Sequence, residues 1–224
     1  FVKNIDNVAH DAWKAPGIRW AQVLLGVLAE TEARVHALLC RLEAGEDAAD
    51  EALAFARDVL RRVPLQVPSA SQARRALAID LLRRPLRVCG MVPNTGEPGG
   101  GPFWVRERDG SSTLQVVESA QVDPADPMAR AAFANGTHFN PVFLACAVRD
   151  PQGRPYALES FVDPAAIILT RKSSGGRELV ALERPGLWNG AMARWNTRFV
   201  EVPLEVFNPV KTVLDLLRPA HQPR

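Results

Sequence analysis

The sequence predicts an α/β fold with a mixed sheet and a helical insert, on three observations. Between positions 12 and 84 the apolar residues recur near a 3.6-residue period, as in Val23, Leu24, Val27, Leu28, Val35, Leu38, Leu39 and Leu42, which is the signature of packed helices. From Leu86 onward the pattern changes to short apolar runs punctuated by Gly, Pro and Asp, which read as strands and turns. Single helical stretches fall between those strands, the arrangement of an α/β layer with a partly mixed sheet. An apolar content of 47% and a charged content of 23% over 224 residues suit one good-sized globular domain, or a domain with an appendage.

Taken in order, residues 1–5 read as a short buried strand. The first helix covers 12–42, and a second follows the Gly45-Glu46-Asp47 break and stops at Pro64. A third takes Ser69 as N-cap and ends before Pro85. Strands are expected at Leu86–Met91, Phe103–Arg106, Leu114–Glu118 and Phe139–Val148, with Asp109-Gly110 as a hairpin-type turn. Ile167–Thr170 and Glu178–Leu182 flank a turn at Ser173–Gly176. A helix around Gly190–Trp195, a strand at Phe199–Val202 and a last helix at Val210–Leu217 complete the chain. Three parts result: 1–11, the helical insert 12–84, and 85–224.

Several function classes are disfavoured. A net charge of +2 with the arginines spread along the chain gives no basic stripe, so no nucleic-acid partner is expected. No apolar stretch approaches the ~20 residues that span a bilayer, so no membrane partner is expected. The three cysteines, Cys40, Cys89 and Cys146, lie far apart without a CxxC pair, which suggests neither a zinc knuckle nor a disulfide framework. A reducing, cytoplasmic setting fits. Nothing in the sequence fixes an oligomeric state.

Candidate chemistry sits at strand ends. Asn4-Ile5-Asp6-Asn7 closes the first strand, where open α/β sheets bind ligands. Asp6 there could hold Mg²⁺ with Asn7 orienting a donor, or it could simply cap the following helix. Gly99-Gly100-Gly101 permits close backbone approach to a ligand, or forms a strained turn. Glu118 and Gln121 leave the Leu114–Glu118 strand with the donor and acceptor mix that sugar hydroxyls require, or end as solvated side chains. Asn140, at the mouth of an apolar strand, needs a partner. Its neighbour His138 has no second His nearby and reads as structural. Lys211 lies just after Asn208-Pro209, in the first turn of the expected last helix, where the dipole disfavours a cation unless an anion is also present. Trp188 and Trp195 either pack a helix on the sheet or offer a stacking ring.

The order of these motifs resembles that of the eukaryotic-type UDP-glucose pyrophosphorylases. Asn4-Ile5-Asp6-Asn7 is similar to their NxDN strand end, whose Asp holds the metal. The glycine run followed by Gln115-Val116-Val117-Glu118-Ser119-Ala120-Gln121-Val122 resembles their KGG loop and LLExAQV strand. Phe139-Asn140 and Leu182-Glu183 resemble their FN and LE motifs. Phe207-Asn208-Pro209-Val210-Lys211-Thr212 with Asp215-Leu216-Leu217 is similar to RFxPVKTxxDLL, whose Lys contacts phosphate. The whole chain also resembles a bacterial family described as domain of unknown function 4301. There are departures: Pro98 stands where the pyrophosphorylase loop has Lys, Pro141-Val142 follows Asn140 in place of TNN, and the 12–84 helices have no counterpart.

The resemblance implies a nucleotide-diphospho-sugar transferase-like, Rossmann-like core of which this sequence is the C-terminal half, with the nucleotide loop in an earlier half and the fragment inactive alone. It implies a nucleoside triphosphate and a sugar 1-phosphate as partners, with release of pyrophosphate. Asp6 is expected to hold Mg²⁺ and Lys211 to neutralise phosphate. Asn7, Gly99, Gly100, Gly101, Glu118, Gln121, Asn140 and Glu183 are expected around the substrate. Asp6 and Lys211 must then face one another across a phosphate-sized gap. The alternatives are a sugar-phosphate or nucleotide-sugar binding module without turnover, and a partner-binding domain that uses its helices.

Overall fold

The computed structural model describes residues 1–96, 99–187 and 189–223. Pro98, at the position of the pyrophosphorylase lysine, and Trp188, one of the two paired tryptophans, lie outside the described residues. The elements run β1 (Val2–Lys3), α1 (Lys14–Glu43), α2 (Ala49–Asp58), β2 (Arg62–Val63), α3 (Ser71–Leu82), β3 (Leu86–Pro93), β4 (Gly101–Arg106), β5 (Ser112–Val117), α4 (Pro127–Ala134), β6 (His138–Ala147), β7 (Ile168–Ser174), β8 (Arg177–Glu183) and β9 (Asn196–Glu201).

The main sheet has the order β1-β6-β3-β9. β3 pairs antiparallel with β6 and parallel with β9, so the expected mixed sheet is present. The central β3 is buried from Leu86 through Val92, and a strand covered on both faces reads as a continuous apolar run. Its side chains alternate between two cores. Val88 and Val92 join the helices, whereas Cys89 and Met91 pack with Leu144, Met192 and Trp195 on the opposite face. β2, β5 and β4 form a second antiparallel sheet, and β7 with β8 forms a separate hairpin. Gly175 and Gly176 turn that hairpin at positive φ of 59° and 76°, as a two-residue type I′ connection requires.

The 30-residue α1 is about 45 Å long. It buries Leu24, Leu28, Val35, Leu38, Leu39 and Leu42 along one stripe. Two devices seat it on the sheet. Gly90 leaves room for it, since a Cβ there would come within 2.9 Å of Leu24 Cδ1. Thr31 gives its hydroxyl hydrogen to the Val27 carbonyl at 2.6 Å and accepts from Arg198 of β9 at 2.8 Å.

Several sequence expectations are corrected. β1 is two residues long rather than five, with Lys3 exposed. Ser69 does not cap α3, which begins at Ser71 with Ala70 before it and no side-chain cap. Residues 191–195 form turns rather than a helix. The last helix is a 3₁₀ turn at Val213–Leu217, so neither Pro209 nor Lys211 lies inside a helix. α4 was not foreseen, although Asp126 caps it by accepting from Met128 N and Ala129 N and Pro127 opens it, a recognisable start signal.

β6 contains the irregularity that matters most for the site. Pro141 cannot donate to the ladder, and the β3–β6 register shifts on both sides of Met91, which pairs with Pro141. Such bulges re-aim side chains, and the β6 residues left without a register partner are Val142 and Asn140.

Because Leu24 is fully enclosed, Leu24→Ala should destabilise the fold by about 2–5 kcal/mol. A fall in the urea midpoint at unchanged slope would be the signature.

Candidate functional site

The two ends of the described chain are sewn together by backbone. Asn7 bridges Pro209 in antiparallel fashion. Val210 N donates to the Asp6 carbonyl at 2.9 Å and Val8 N to the Asn208 carbonyl at 3.2 Å. The Asn7 side chain completes the clamp: its Nδ2 donates to the Val206 carbonyl at 3.0 Å, and its Oδ1 accepts from Asn208 N at 2.7 Å. Asn7 is only 2% exposed, and a buried carboxamide must find such partners. Its amide is therefore spent on the backbone.

The clamp sets Asp6 beside Lys211, and the Lys211 ammonium donates to Asp6 Oδ2 in a direct ion pair. The expected gap between them is thus closed by contact. The Lys211 side chain is 71% exposed and that of Asp6 is 25% exposed. An ion pair so open to water adds little to stability. Beyond Lys211, Asp215 fixes the backbone: Oδ2 accepts from Lys211 N at 2.9 Å and Thr212 N at 2.7 Å, and Oδ1 meets Arg218 at 2.7 Å. Backbone donation from Thr212, then from Lys211, holds the Asp215 carboxyl below its ordinary range. The Thr212-x-x-Asp215 spacing of a capping box was the sequence signal for this role, which sequence reasoning did not assign.

Glu118 belongs to the same neighbourhood. Burial pushes its carboxyl above the ordinary value of 4.5, and the positive charge of Lys211 opposes that rise. Its strand exit is shaped by Gln121, whose Oε1 accepts from Glu118 N at 2.8 Å. Gly100 is wedged against this strand end: a Cβ there would lie 2.4 Å from the Val117 carbonyl oxygen, 2.9 Å from Asn140 Oδ1 and 3.0 Å from Glu118 Cα. Gly99 approaches Phe139 and Asn140 Nδ2, and Gly101 the His138 carbonyl, at similar range. The glycines therefore permit close approach to protein rather than to open space. Phe139 in turn packs on Phe207 with ring centroids 5.4 Å apart, linking the glycine loop to the Lys211 segment. Asn140 Oδ1 is sealed from solvent without a hydrogen-bond partner among the described residues.

Asp6, Lys211, Glu118, Gly99–Gly101, Gln121 and Asn140 thus form one connected neighbourhood. Glu183 lies on the β7–β8 hairpin, where it accepts from Thr170 at 2.9 Å and Lys172 at 2.7 Å. His138 bonds Glu201 and Thr137 at 2.9 Å each, tying the start of β6 to the end of β9. Trp195 is buried in the core beneath β3. Two buried arginines, Arg62 and Arg87, were also not singled out from sequence. Nothing in their local pattern distinguishes them from surface arginines.

Among the described residues no three His, Cys, Asp or Glu side chains converge on a metal-sized site, and no helix is long and apolar enough to cross a membrane.

The chain belongs to the family described as domain of unknown function (DUF4301), whose model matches residues 1–222. No curated protein matches it. Among solved structures it is similar to two mutants of UDP-glucose pyrophosphorylase from Leishmania major, each in complex with UDP-glucose. The G45Y mutant shows 20% identity over 67% of this chain with a TM-score of 0.35. The L281D mutant shows 21% identity over 71% with a TM-score of 0.38. The matched part covers 34% of the length of each of those chains.

Raising a carboxyl pKa on folding favours the protonated form. The stability contributed by Glu118 is therefore complete below its unfolded value and declines as pH climbs through the folded one. Glu118→Gln should remove this decline, giving a flatter stability profile from pH 4 upward in denaturant titrations. Lys211→Ala should raise the Glu118 pKa further, as read by carboxyl NMR titration.

Proposed function

We propose that this DUF4301 member supplies the sugar-phosphate side of a nucleotidyltransferase site, in which a sugar 1-phosphate and a nucleoside triphosphate give a nucleoside diphosphate sugar and pyrophosphate. The observation that carries the proposal is the direct pairing of Asp6 with Lys211 across 205 positions of sequence. An ion pair whose lysine is largely exposed contributes little to stability, yet it is positioned by a buried clamp and by Asp215. The motif order read from the sequence supports the same reaction class.

In that reaction an oxygen of the sugar phosphate attacks the α-phosphorus in line, a new P–O bond forms, and the bond to pyrophosphate breaks. The attacking oxygen is already an anion, so no strong base is required. What is required is to bring two polyanions together and to stabilise charge on the equatorial oxygens. Lys211 suits this work: its flexible stem lets the ammonium leave Asp6 for an arriving phosphate, which it meets as a point charge. Glu118 accepts from sugar hydroxyls, with the backbone of the glycine loop and Asn140 beside it. Gln121 and Asn7 act by holding the strand end and the clamp in place. Glu183 enters this reading only as an outer sugar contact from the neighbouring hairpin.

Magnesium fits in one way only. Asp6 offers a single carboxylate, and Mg²⁺ is commonly held by one or two carboxylates plus substrate phosphates. Asp6 would receive the ion as part of a metal–triphosphate complex, and the ion would supply charge neutralisation between the phosphates. Release of Asp6 Oδ2 by Lys211 is the change within this chain that such binding requires.

In the intact protein, Lys211→Ala should lower turnover by roughly 10²–10³ in a pyrophosphate-release assay run over all four triphosphates and a panel of sugar 1-phosphates. Full activity in that variant would sink the assignment. Calorimetry offers a second check: Mg²⁺ alone should bind weakly, whereas triphosphate binding by the intact protein should require the metal and weaken on Asp6→Asn. Metal-independent binding that survives Asp6→Asn would instead indicate a binding module without turnover.

A further inference from the structure

We propose that the outer edge of β8 pairs with the same edge of a second copy of this chain, giving a twofold dimer joined by a four-stranded sheet. None of this depends on the nucleotidyl-transfer reading, because the readout is molecular mass. Of the residues given a role there, only Glu183 lies on β8.

The hairpin is incomplete as a sheet. β7 and β8 form a two-stranded unit, and among the described residues no strand pairs with the other edge of β8. Two strands alone are marginally stable in water, and three or more with an apolar face are needed. One face of the hairpin carries Leu169, Val180 and Leu182, which are 65%, 63% and 59% exposed, a contiguous apolar patch. A free edge beside such a patch is a template for another strand. Ser174 and Arg177 flank the Gly175-Gly176 turn and are register partners, so they exchange both backbone bonds, as in two-residue hairpins. Bonded and non-bonded pairs alternate from there. Arg177, Leu179, Ala181 and Glu183 therefore address β7, whereas Glu178, Val180 and Leu182 direct N–H and C=O outward.

The occupant follows from charge. The Arg177 guanidinium has no hydrogen bond or ion pair among the described residues. Glu183 uses Oε1 for both Thr170 at 2.9 Å and Lys172 at 2.7 Å, and its Oε2 has no partner among the described residues. Both side chains project from the same face of β8, at its two ends. Antiparallel self-pairing centred on Val180 sets Arg177 opposite the partner's Glu183 and, by symmetry, Glu183 opposite the partner's Arg177. The same register sets Glu178 opposite the partner's Leu182 and Val180 opposite the partner's Val180, so each outward N–H and C=O finds a partner. Val180 also lies diagonal to the partner's Leu182, within side-chain reach, and the two apolar patches merge. Slipping the strands by two residues places Arg177 opposite the partner's Ala181 or the partner's Pro185 and forfeits the charge match. An isologous contact of this kind closes at two copies.

The test is sedimentation equilibrium on the protein from micromolar to millimolar concentration, where a reversible monomer–dimer equilibrium is expected. Arg177→Glu sets like charges opposite one another twice across the axis, and should weaken dimerisation by at least about tenfold. Arg177 is exposed, so this variant keeps the fold. Adding Glu183→Arg reverses both charges and should restore association to within about threefold of the parent. Val180→Pro removes an outward N–H but no bond to β7, and should weaken association by about tenfold or more. A monomer at every concentration, undiminished association in Arg177→Glu or Val180→Pro, or no restoration in the double variant would each overturn the proposal.

Discussion

The site depends on a single buried carboxamide. Asn7 uses both its donor and its acceptor on the backbone of Val206 and Asn208, and so joins the first strand to the segment that carries Lys211. A buried amide left without partners costs about 1–3 kcal/mol, so the clamp is specified by Asn7 rather than tolerated. The Asp6–Lys211 pair is a consequence of that clamp and not its cause, because an ion pair whose lysine is this open to water could not by itself hold together two residues 205 positions apart.

A second constraint acts from the sheet. Pro141 lacks an N–H, the β3–β6 ladder slips around it, and Asn140 is turned toward Gly99 and Gly100. The glycines matter because Val117, Asn140 and His138 occupy the space where side chains would be. Phe139 and Phe207 then carry this packing across to the Lys211 segment. Local irregularity in β6 and long-range closure by Asn7 thus converge on one face of the molecule.

Much of this architecture was legible in the sequence where periodicity is strong. α1 and the strands β3 and β6 are the cases in which the apolar pattern and the burial coincide. Legibility failed where tertiary contacts decide conformation. The Gly190–Trp195 segment reads as a helix because tryptophans stand two helical turns apart at 188 and 195, yet residues 191–195 form turns in which Met192 and Trp195 serve the underside of β3. The Asn208-Pro209 pair reads as a helix start, but Pro209 is held in a bridge to Asn7, which displaces the turn to Val213. For the site, the residue types at Asp6, Glu118, Asn140 and Lys211 were visible, and their proximity was expected from the order of the motifs rather than from local spacing. Asn7 was read as a ligand contact although its carboxamide serves the backbone, and Arg87 was overlooked because only burial distinguishes it.

The clamp also bears on the order of folding. Joining positions 6 and 211 closes a loop nearly as long as the described chain, and such closure repays its entropy only after the intervening sheet and helices have formed. The acidic and basic partners therefore meet as one of the last events in folding. A chain stalled in a partly folded state would retain its helices and much of its apolar core while presenting no assembled charge pair, so that formation of the Asp6–Lys211 pair would report completion of the native structure.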